Sequence, residues 1–196
     1  MSHTAPYIIL LAAVFTNNIL LSSFLGMCPF LGCSKQIDTS VGIGAAVLFV
    51  ITCTTSLNYL LNHYILVPLH LEYLQVIVFI AIIAAFVQLV EVFIERFSPP
   101  LYYALGIFLP LITVHTAILG AALFMVIRGY SFLQTMAFGF GSGLGWWLAI
   151  MLLAGLRKKM GYSKIPKPFQ GVAIAMITTS IMAMTFMGFS GMLPTQ

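Results

Sequence analysis

Charge is what this chain has least of. Its 196 residues include 8 Lys and Arg and 4 Asp and Glu, so 6% are charged, against the quarter or so that covers a soluble domain with water-facing surface. A soluble globular fold is excluded on that ground. Cysteine is also scarce: Cys28, Cys33 and Cys53 show no C-x-x-C spacing and make no disulfide framework. Met1–Thr4 carries no Lys or Arg, and no small-residue cleavage site follows a short apolar core, so the first apolar run is expected to stay as a span. Rossmann glycines, a P-loop, zinc spacings and a nucleophile elbow are all missing. The pI of about 9.1 does not indicate nucleic acid, because the basic residues cluster in a short loop with no aromatic-basic groove.

What fills the chain is apolar. Hydrophobic residues make up 61%, and the mean hydropathy is +1.09. A membrane-crossing helix needs about 20 such residues. Runs of that length predict an all-α integral membrane protein with six transmembrane helices, at Tyr7–Leu25, Ile43–Leu61, Leu74–Ile94, Leu101–Ile127, Phe132–Leu156 and Phe169–Gly188. Lys35, Gln36 and Asp38 separate the first two. Pro99-Pro100 stops the third, Arg128-Gly129 the fourth, and Arg157-Lys158-Lys159 the fifth. Loops then alternate sides. Lys35, Arg96, Arg157, Lys158, Lys159, Lys164 and Lys167 fall on one side and Arg128 alone on the other. The positive-inside rule makes the first side cytoplasmic and places both termini outside. The basic 157–167 stretch sets topology, with a peripheral acidic partner as a second use.

Three helices per half imply an inverted repeat in a single membrane domain, about 1–97 and 98–196. Cys28-Pro29-Phe30-Leu31-Gly32 matches Thr116-Ala117-Ile118-Leu119-Gly120, and Gly42-Ile43-Gly44 answers Gly139-Phe140-Gly141. Helices 1 and 4 are expected to be interrupted, at Gly26, Pro29 and Gly32 and at Gly106, Pro110 and Gly120. Interrupted backbone at membrane depth needs protein or a cavity to satisfy it, so paired breaks suggest a central site. The alternative is close helix packing, with Gly141, Gly143 and Gly145 serving it.

Few side chains carry chemistry. Cys28 lies in the first break, where free N–H groups favour a thiolate or an iron–sulfur sulfur; a small apolar role is the alternative. Gln88, Glu91 and Glu95 recur at helical spacing, making Glu91 and Gln88 candidates for an ion pathway, or interfacial partners of Arg96. His115, between Thr113 and Thr116, is a weak metal or ion ligand and equally a structural histidine.

Four stretches then carry a resemblance: F-L-G-M-C-P-F-L-G (24–32), L-G-I-F-L-P-L-I-T (105–113), G-F-G-S-G-L-G-W (139–146) and F-M-G-F-S-G (186–191). Over nearly the whole length the chain resembles the membrane subunits of the Rnf and Na⁺-pumping NADH:quinone (Nqr) complexes. The Pro68–Tyr73 connection resembles the Rnf form, and Gly139–Trp146 the Nqr form. The resemblance implies two inverted helix triplets paired with a homologous sister subunit of opposite topology in the bacterial inner membrane. It implies a [2Fe–2S] cluster held between the two by one cysteine from each broken helix. Electrons would pass between flavin- and iron–sulfur-carrying subunits, coupled to Na⁺ or H⁺ transport. Cys28 matches the first family cysteine, but the family's Asn-Cys reads His115-Thr116 here. Two other function classes fit the inverted repeat alone: a stand-alone secondary transporter and a scaffold without a redox role.

Overall fold

The computed structural model describes residues 6–97, 112–161, 166 and 169–188. Eight α-helices lie among them, and no strand. The first apolar run is divided into three: α1 (Pro6–Leu11, prolonged by a π-turn over Ala12–Thr16), α2 (Ile19–Ser23) and α3 (Met27–Cys33). Next come α4 (Ile37–Leu61) and α5 (Gln75–Phe97). The second half holds α6 (Thr116–Ile127), α7 (Phe132–Met160) and α8 (Val172–Met187).

Among the described residues, three helices are long and apolar enough to cross a membrane: Ile37–Leu66, Gln75–Phe93 and Phe132–Met160. Pro6–Thr16, Thr116–Ile127 and Val172–Met187 are shorter apolar helices. Each described helix falls within or beside a predicted span, with three corrections. Tyr7–Leu25 is not one helix. The second span begins at Ile37 rather than Ile43, because Asp38 favours a first turn and Ser40 Oγ donates to Cys33 O and Gln36 O across the junction. The fifth continues to Met160, so Arg157, Lys158 and Lys159 form its last turn instead of a loop; cations there complement the carbonyl end of the helix. Leu101–Leu111 of the fourth span lies outside the described residues.

The centre of the fold is the packing of α4 on α7, which run antiparallel. Gly44 lies against Trp147, Gly143 against Leu48 and Gly139 against Thr55. The opposite flank of α7 receives α1: a side-chain carbon on Gly141 would stand 2.8 Å from Leu10 O, and one on Gly145 would stand 3.0 Å from Ala13 O. Two glycine pairs, each spaced by four, therefore give α7 two flat faces. Phe30, Ile43, Val47, Ile51, Ile118, Trp146 and Ile150 fill the space between these helices. The close packing expected as the alternative for Gly141, Gly143 and Gly145 is what α7 displays.

Candidate functional site

Both predicted breaks exist, and they touch. Within the first apolar run the chain leaves helical geometry twice. The first departure is at Asn17-Asn18. Asn18 is the N-cap of α2, and its Oδ1 accepts from Leu20 N at 3.1 Å. Its Nδ2 donates to Val14 O at 3.1 Å and, across to α7, to Gly145 O at 2.8 Å. The second departure runs from Phe24 (φ 53°) to Gly26 (φ 84°), both left-handed, before α3 begins. Pro29 and Gly32 were expected to interrupt the helix. They lie within α3 instead, Pro29 in its first turn, where a missing N–H costs nothing.

In the second half the break falls at His115, the N-cap of α6, whose Nδ1 accepts from Ala117 N at 3.2 Å. Gly120, expected as an interruption, lies inside α6, while Gly106 and Pro110 are outside the described residues. The two half-helices are joined at one point: Gly26 N donates to Thr116 Oγ1 at 2.9 Å. The approach is close enough that a Cβ on Gly26 would stand 2.5 Å from His115 Cε1 and 3.0 Å from Trp146 Nε1. Trp146 meets the His115 ring edge-on at 5.0 Å.

The residues divide by exposure. His115 and Trp146 are buried, and His115 Nε2, Trp146 Nε1 and Ser142 Oγ have no hydrogen-bond partner among the described residues. Cys28 and Thr116 are exposed. His115 and Thr116 thus face opposite ways, one into the core and one outward. Cys33 is buried at the end of α3, and Cys53 is half-buried in α4. Glu91 continues the Phe79, Ile83, Val87 stripe with which α5 faces the core and is half-buried; Gln88 and Glu95 are exposed. Neither Glu91 nor Gln88 hydrogen-bonds to the break among the described residues. Sequence reasoning missed Asn18 and Trp146, although an Asn-Asn pair inside an apolar run was a signal.

A metal centre can be tested against this donor set. No group of three His, Cys, Asp or Glu gathers among the described residues. One thiol, Cys28, is available at the outer face of the break. The Thr116 hydroxyl already accepts from Gly26, and the His115 imidazole caps α6 and faces the core. Among the described residues the site offers a single exposed thiol. It does not fit two ligands from this chain.

Residues 7–193 match the family described as Rnf-Nqr subunit, membrane protein. The chain is 51% identical to the A-type subunit of the Na⁺-translocating ferredoxin:NAD⁺ oxidoreductase complex of Acetobacterium woodii, over 94% of this chain and 96% of the relative. It is 49% identical to the E-type subunit of the Na⁺-translocating NADH-quinone reductase of Chlamydia muridarum, over 93% and 80%. It is 48% identical to the A-type subunit of the ion-translocating oxidoreductase complex of Azotobacter vinelandii, over 97% and 98%. Over nearly its whole length, this chain belongs to the Rnf-Nqr family of membrane subunits.

Proposed function

We propose that this chain is a membrane subunit of an ion-translocating ferredoxin:NAD⁺ oxidoreductase, corresponding to the A-type subunit of the Rnf complexes. It works beside a homologous sister subunit of opposite topology and the flavin- and iron–sulfur-carrying subunits of the same assembly. Six spans in two inverted triplets in the bacterial inner membrane belong to the same proposal. Coverage of 96% and 98% of the A-type relatives, against 80% of the E-type one, and the Rnf-like Pro68–Tyr73 connection favour Rnf over its Nqr counterpart, the E-type subunit. The observation that carries the proposal is the bond from Gly26 N to Thr116 Oγ1. It fixes both half-helices so that Cys28 and Thr116 stand exposed beside a buried His115–Trp146 pair. An exposed thiol at membrane depth suits a contact with another protein chain.

Cys28 supplies one thiolate there to an iron–sulfur centre completed by the sister subunit. When bound, such a centre carries single electrons between the two sides of the membrane. This chain's own part is to hold the Cys28 segment rigid. Gly26 permits the close approach, Thr116 anchors the turn, and Asn18 ties the first break to α7. Replacing one thiolate of four by another ligand changes the centre's charge and potential.

Iron content and EPR spectra of the purified complex test this reading. Cys28→Ser is expected to abolish the intramembrane signal, and Thr116→Cys to raise its occupancy toward four-thiolate character. A full-strength signal in the Cys28→Ser complex would exclude Cys28 as a ligand. Ion transport by the isolated chain, without partner subunits, would replace the proposal by that of a secondary transporter.

A further inference from the structure

At the basic end of the bundle the ends of α3, α4, α7 and α8 enclose a recess of about 820 Å³. That size lies within the roughly 300–1,000 Å³ of ligand pockets. Its rim carries Lys35, Arg157 and Lys158 against one carboxylate, Asp38. Arg157 is half-buried, and its Nη1 donates to Leu31 O at 3.0 Å, which fixes the guanidinium on the wall. Lys35 and Lys158 have no ion-pair partner among the described residues. Two helices, α4 and α8, begin at the recess from Gln36 and Gly171, neither of which caps its helix with a side chain. Their first-turn N–H groups add positive potential. The same recess is also lined by apolar Leu31, Met160, Val172 and Ile174.

We propose that this recess binds the phosphate headgroup of an anionic phospholipid, with an acyl chain on the apolar wall. Basic recesses between membrane helices at the cytoplasmic surface take such headgroups. Charge alone would also attract an acidic protein surface or free phosphate. Neither has a use for apolar lining in the same recess as the cations, and an amphiphile does. This inference stands apart from the redox reading and needs nothing from Cys28.

The test is native mass spectrometry of the intact complex, titrated with phosphatidylglycerol, phosphatidylcholine or inorganic phosphate. Phosphatidylglycerol is expected to bind in preference to phosphatidylcholine. Lys35→Gln and Lys158→Gln should each weaken it about fivefold, and together about 25-fold. Lys158→Arg should restore binding, which separates lost charge from misfolding. Lys159→Gln, outside the recess, should leave binding near the parent level. Equal binding of both lipids, or unchanged binding in the double variant, would overturn the proposal. Displacement of the lipid by inorganic phosphate would assign a free anion instead and also overturn it. So would loss of a partner subunit from the double variant with lipid binding intact, the mark of an acidic protein surface.

Discussion

Gly26 is the residue on which the two halves of the protein depend. Its φ of 84° lies where any L side chain is strained, by about 1–2 kcal/mol. An added Cβ would also stand 2.5 Å from His115 Cε1, so a buried ring must move, at a further cost of about 1–3 kcal/mol. Gly26→Ala is therefore expected to lose about 2–5 kcal/mol. Gly129 provides the comparison: its φ is 61°, but nothing lies within 4 Å of an added Cβ. Gly129→Ala should cost only the backbone strain, about 1–2 kcal/mol. Denaturant unfolding of the two variants in detergent micelles measures the difference, and equal losses would show that the contact with His115 is unimportant. Cys28 carries the counterpart at this scale, because the iron signal responds to it and fold stability should barely do so, whereas a Thr116 variant also loses the bond from Gly26 N.

At the scale of helices, α7 organises the bundle through interleaved glycines. Gly139 and Gly143 face α4, while Gly141 and Gly145 face α1 and Asn18. On Gly143 an added Cβ would stand 2.9 Å from Leu48 Cα, which is backbone and cannot swing aside. Gly143→Ala should force α4 and α7 apart and destabilise by about 1–3 kcal/mol. Gly155 lies on the same helix with nothing within 4 Å, so Gly155→Ala should be neutral or gain up to about 1 kcal/mol from helix propensity. The same unfolding measurement decides it, and a tolerant Gly143 would refute the close-packing role. This ladder was legible in the sequence as G-F-G-S-G-L-G, as were the helical class and the existence of two breaks. The positions of the breaks were not. Pro29 looked like a breaker but occupies a first turn, whereas Phe24, with no local preference for φ 53°, is the left-handed C-cap of α2, its N–H donating to Ile19 O. Asn18 and His115 end the breaks by capping, and His115 was weighed as a ligand while its capping role depended on folded geometry. That Thr116 hydrogen-bonds Gly26, 90 residues away, is information only the tertiary fold contains.

Across the whole molecule, charge and aromatic residues separate to opposite ends. Lys35, Arg157 and Lys158 are far apart in sequence yet line one recess, because α4 starts where antiparallel α7 ends. At the other end Tyr59 packs on Phe132 at 5.7 Å and stacks on His63, while Arg128 Nη1 donates to Tyr130 Oη at 3.0 Å. Aromatic rings with polar tips mark a membrane–water interface, and clustered Lys and Arg mark the cytoplasmic side. Arg128 lies over the Phe124 and Phe138 rings at 5.8 Å each, so those faces attract the guanidinium at the aromatic end. The arrangement predicts an orientation with the Lys159 end in the cytoplasm and the Arg128 end outside. Lys159→Cys should react with a membrane-impermeant maleimide in inverted vesicles and stay unlabelled in intact cells, and Arg128→Cys should do the reverse. Both positions are exposed, and the parent chain serves as the background for its own Cys28. Labelling of Lys159→Cys in intact cells would invert the orientation, and with it the side on which the basic recess meets lipid.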